Sequence, residues 1–134
     1  MVNEAVIVEL LGDEGDVIYF TVTDATGIEK GALLTLSDPR TAAAGTDGTI
    51  CAGIAAAEKV ALDGSTKLGC YTHGIFDLNA SGAIAVGEAI ALAGNNEVKL
   101  APNDFSGAKV LGYALETAAD NETIECFVRI GGGS

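Results

Sequence analysis

The chain has 134 residues, 49% of them hydrophobic, which is one domain's worth of core-forming sequence and argues against disorder. Nineteen acidic residues against seven basic ones give a formal net charge of −12, so phosphate backbones and anionic lipid surfaces are excluded as partners: no nucleic acid and no membrane. No apolar run approaches the roughly 20 residues that span a bilayer, and no basic region precedes a hydrophobic signal core, so synthesis in the cytoplasm is expected. The acidic surface reads first as a solubility device, with adaptation to a saline medium as the sharper alternative.

Eighteen glycines, two prolines, no tryptophan and few aromatics describe many turns joining short strands. Residues 4–11 (EAVIVELL) read as a strand because their centre is Val-Ile-Val and a Gly-Asp-Glu-Gly-Asp turn follows. Residues 17–23 (VIYFTVT) are the most β-prone run, with Ile18, Phe20 and Val22 on one face. A short apolar strand over 32–36 stops at Asp38-Pro39, where proline cannot donate to a ladder. Residues 49–59 (TICAGIAAAEK) give a strand interrupted at Gly53, and the Asp63-Gly64 reversal opens a further hairpin that runs to Leu78. The stretch 84–100 (IAVGEAIALAGNNEVKL) reads as turn, strand, hairpin and strand. A strand centred on Gly112 and a closing strand over 122–130 follow, and the terminal GGGS has linker composition.

The chain contains one β pattern twice. Gly31 laid over Gly87 aligns GALLTLSD with GEAIALAG at an offset of 56 residues. GTICAG (48–53) then lies over GAKVLG (107–112) at an offset of 59, and GCYT (69–72) meets ECFV (125–128) at 56 again. Ordered landmarks with near-constant offset indicate two copies of one unit of roughly 45 residues. The predicted fold is all-β: a small barrel or sandwich built from two pseudo-repeated units, which hides strand edges, preceded by an N-terminal strand or hairpin. The expected division is an N-terminal segment over 1–23, a barrel domain over 24–130 and a tail over 131–134.

Chemistry-bearing patterns are sparse. Cys51, Cys70 and Cys126 are an odd number without a secretory signal and read as reduced core thiols. His73 is the single histidine; residues three apart on a strand face opposite ways, so Cys70 and His73 form neither a metal pair nor a nucleophile pair. Asp13, Glu14 and Asp16 occupy a glycine-bounded turn without the EF-hand pattern, and neither phosphate-loop nor GxSxG spacing occurs. The expectation is therefore no enzyme, no cofactor, no metal and no catalytic residue. Tyr19, Tyr71, Tyr113, Phe20, Phe76, Phe105 and Phe127 are scattered along the chain, and most read as core.

The order of KGALLTLSD, GTICAGIAA, GIFDL, VGEAIALAGNNEVKLAP, KVLGYALE and ETIECFVRI resembles the capsid cement, or head decoration, proteins of tailed viruses, over residues 24–131. The resemblance rests on the turn and strand at 86–92, the strand at 111–115 and the close at 126–128. It implies a homotrimer on the outside of the viral head that bridges major capsid proteins and stabilises the shell. In related proteins an N-terminal segment contacts the lattice, so by position Val2, Glu4, Ala5, Val6, Ile7 and Val8 are the candidate capsid-binding residues. The alternative is a cellular β-barrel module for a carbohydrate or peptide, which an exposed aromatic platform would favour.

Overall fold

The computed structural model describes the backbone of residues 6–9, and residues 17–94, 96–102 and 109–130 in full. The described strands are β1 (Val6–Glu9), β2 (Ile18–Thr21), β3 (Leu33–Asp38), β4 (Thr41–Ala44), β5 (Cys51–Ala55), β6 (Lys67–Tyr71), β7 (His73–Ala80), β8 (Ala89–Leu92), β9 (Glu97–Leu100), β10 (Val110–Ala114) and β11 (Thr123–Arg129). No α-helix occurs among the described residues. The all-β reading with two repeated units holds, and each unit closes a barrel of its own. The first runs β2-β4-β3-β5-β6; the second runs β7-β11-β10-β8-β9 and closes through a parallel pairing of β7 with β9.

β2 lies inside the stretch 1–23, yet it is a stave of the first barrel. It pairs with β6 from Ile18 to Thr21 and with β4 at Thr21, and without it the ring would stay open. Its counterpart is β7. Ile18 and Phe20 face Cys70 and Leu68, as Phe76 and Leu78 face Cys126 and Ile124, so the repeat runs one strand further upstream than Gly31. The isolated bridges repeat too: Ile28 with Lys59, and Ile84 with Ala118.

Each copy carries a β-bulge at the same place. Ala52 is the extra residue where β5 meets β3, and Leu111 is the extra residue where β10 meets β8. The glycines that follow are the landmarks of the repeat because the neighbouring strand passes against them. A Cβ on Gly53 would stand 2.8 Å from Cys70 Cβ, and a Cβ on Gly112 would run into the Phe127 carbonyl.

Burial explains why the first copy is so apolar. All five residues of β5 are buried, as are Leu33, Leu34 and Thr35 of β3. Leu34, Ala52 and Ala55 join Phe20, Leu68 and Cys70 inside the first barrel, whereas Leu33, Cys51 and Ile54 join Phe76, Leu92 and Val128 in the core of the second. A strand covered on both sides has no polar alternation, which is the pattern of LL and CAGIA. Full burial of Leu33 and Ile54 contributes about 2 kcal/mol each to joining the barrels. The Tyr71 ring adds to the seam 6.4 Å from Phe76, the Gly48 amide donates to the Leu92 carbonyl at 3.1 Å, and Lys99 pairs with Asp47 at 2.7 Å.

Two substitutions test this geometry by urea unfolding. Gly112→Ala is expected to lower stability by about 3 kcal/mol through the forced clash, and an unchanged midpoint would contradict the close approach. Leu62 sits at φ 63°, where its counterpart in the second unit is Asn121 at φ 69°. Leu62→Asn is therefore expected to raise stability by about 1 kcal/mol.

Candidate functional site

Of the candidate capsid-binding residues, Val6, Ile7 and Val8 fall in β1, while Val2, Glu4 and Ala5 lie outside the described residues, as do Asp13, Glu14, Asp16 and Phe105. β1 runs antiparallel to the first half of β7, with Val6 opposite Asp77 and Ile7 opposite Phe76, and a bulge follows before Glu9. β9 pairs with the same strand only at Asn79 and Ala80. β1 is thus an addition to the edge of β7 and takes no part in closing either ring. Among the described strands its other edge pairs with nothing.

A second surface lies on the outside of the second barrel. A groove of about 330 Å³ is lined by Gly87, Ala89, Val110, Gly112, Tyr113, Phe127 and Arg129. The Tyr113 and Phe127 rings stack with centroids 5.2 Å apart, and His73 meets Phe127 edge-on at 5.6 Å. The glycines keep the floor open, and no carboxylate is among the lining residues. Tyr113 is 43% exposed. Its position departs from the core reading of the aromatics, as does that of Tyr19, which is exposed over Gly69. The bulge at Leu111 sets which way the side chains beyond it point, and nothing local in AKVLGYALE reports it.

The thiols are placed differently from His73. Cys70 is enclosed in the first barrel, Cys51 and Cys126 in the core of the second, and burial pushes all three up to about 12. At neutral pH they are protonated and poor nucleophiles. No group of three or more His, Cys, Asp or Glu side chains capable of holding a metal occurs among the described residues.

Sequence reading also passed over Lys59, which is 2% exposed. Its ammonium donates to Asp24 Oδ1 at 2.9 Å, Asp63 Oδ1 at 2.7 Å, and the carbonyls of Asp24 and Val60 at 3.0 and 2.7 Å. It ties the turn after β2 to the turn before β6. Burial pulls the ammonium down, but its hydrogen bonds to Asp63 and Asp24 outweigh that and hold its pKa above the ordinary 10.5. The bond from Lys59, and then the Ser65 amide, hold Asp63 below its ordinary 3.8.

An edge strand and an apolar groove on two fused barrels are the features that distinguish this surface, and neither is a catalytic constellation. Residues 12–130 match the phage cement protein family. The chain belongs to that family, and is a structural protein of phage heads. Among solved structures, the N base of the head fiber protein gp8.5 of bacteriophage phi29 shares the fold. It has a TM-score of 0.57 and 18% identity, covering 84% of this chain and 94% of that one. No curated protein matches.

The Lys59 clamp predicts a pH signature. The raised lysine contributes in full below pH 10.5 and loses that contribution as pH rises through its folded value; the depressed Asp63 contributes in full above pH 3.8 and loses it as pH falls through its folded value. The stability gap between wild type and Asp63→Asn, followed by urea unfolding, is expected to be flat around neutrality and to narrow at both extremes. A gap that stays constant to the acid and alkaline ends would contradict the clamp.

Proposed function

We propose that this protein is a cement protein of the outer head surface, a homotrimer that bridges neighbouring major capsid proteins and holds the shell against internal pressure. The match of residues 12–130 to the phage cement family carries this reading. The architecture supports it: two barrels locked by a shared core make a rigid block, and its exposed features suit contact with protein. Several weak contacts from one trimer act together through effective concentration, so no single contact has to be strong. The part of the 1–23 segment ahead of β2 supplies the capsid-facing arm, with Val2, Glu4, Ala5, Val6, Ile7 and Val8 as its contact residues. The open edge of β1 supports this, because such an edge is a template for strand addition by a capsid subunit.

A carbohydrate- or peptide-binding module is the second reading, favoured by the exposed Tyr113–Phe127 stack. Cosedimentation with purified heads separates the two. The full chain is expected to pellet with heads and to raise their disruption temperature. Deletion of residues 1–11 is expected to weaken binding by at least about tenfold while circular dichroism stays that of folded barrels. Unchanged binding after that deletion would remove the arm, and absence of head binding by the full chain would remove the cement role.

A further inference from the structure

The repeat turns each barrel into a control for the other. By the offsets of 56 and 59, the groove residues Ala89, Val110, Tyr113 and Phe127 are the counterparts of Leu33, Cys51, Ile54 and Tyr71. In the first barrel this face is the one that packs onto the second: Leu33 and Ile54 are 0% exposed, whereas Tyr113 is 43% exposed. The groove is the second barrel's copy of a docking face, without a barrel on it among the described residues.

The receiving half of the joint shows the converse. Phe76 and Leu92 of the second barrel, both 0% exposed, lie in the core cluster that takes in the first barrel's face. Strand register and the offset of 56 make Ile18 and Leu36 their counterparts, and these are 41% and 42% exposed. The chain therefore holds one closed joint and exposes both halves of a second. In a molecule of net charge −12, the groove lining holds no carboxylate and one cation, Arg129, which lowers like-charge repulsion between copies at that face.

We propose that the groove of one copy docks over Ile18 and Leu36 of the next, repeating the intrachain joint head to tail and closing into a ring. Three copies would then form a ring of six barrels. A head-to-tail contact of this kind builds a ring where its rotation closes, whereas a face that meets itself stops at a dimer. The inference rests on the homo-oligomer reading above and is independent of head binding.

Sedimentation velocity of the full chain tests it. Wild type is expected to form a closed oligomer. Tyr113→Glu and Ala89→Glu in the groove, and Ile18→Glu and Leu36→Glu on the receiving side, are each expected to weaken self-association at least about thirtyfold. Circular dichroism identifies which variants stay folded. Mixing a folded groove variant with a folded receiving-side variant is expected to give a one-to-one dimer, because one intact half remains on each chain. A monomeric wild type, variants that associate like wild type, or a mixture without heterodimer would overturn the proposal, as would an oligosaccharide or peptide held in the groove of a monomer. Heads added in parallel separate the two readings. A ring that ignores heads leaves this joint standing and removes the cement role, whereas decorated heads with unaffected variant oligomers remove the joint alone.

Discussion

Burial of β5 and the first half of β3 on both faces is the constraint on which the rest of the molecule depends. Leu34, Ala52 and Ala55 fill one barrel while Leu33, Cys51 and Ile54 complete the core of the other, so two small rings share one wall. Small domains bury too little surface to be secure alone, and a shared wall offsets that shortfall without adding residues. It also accounts for the composition. A wall packed from two sides must be thin, which favours alanine, cysteine and glycine at the positions between the larger Leu and Ile side chains.

Much of this was legible because the constraint leaves local marks. The paired glycines Gly53 and Gly112 could be matched because each permits a strand approach that a Cβ would block. The matching strands at 31–38 and 87–94 were recognisable for a different reason, each following a turn glycine at positive φ. The relation between β2 and β7 was hidden, since IYFT and HGIFDLNA share a register and no residue pattern. That there are two closed barrels was equally hidden. Each ring closes through a parallel contact of one or two residues, Thr21 with Thr41 and Asn79 and Ala80 with Glu97 and Val98, and so short a long-range pairing leaves no periodicity.

The surfaces were read less well than the core. A lysine in AEKVAL carries no sign that its ammonium will be enclosed by Asp24 and Asp63, which come from turns far apart in sequence. Tyr113 reads as core by hydrophobicity, yet it occupies the slot of Ile54 on a barrel that has no second barrel over that face among the described residues. The exposed features gain meaning only once the two copies are compared residue by residue. Duplication gives the chain a way of packing barrel on barrel, used once internally and available again outside.

In the proposed cement role, a rigid block, protonated thiols that resist modification and contacts spread over several faces would each serve a loaded shell. The most direct measurement of that role is electron cryomicroscopy of heads incubated with the purified chain, compared with undecorated heads. The account predicts added density on the outer surface, placed between neighbouring major capsid subunits and fitted by the two-barrel fold. Heads that bind the chain only on the inner surface, or show no added density at saturating protein, would contradict it.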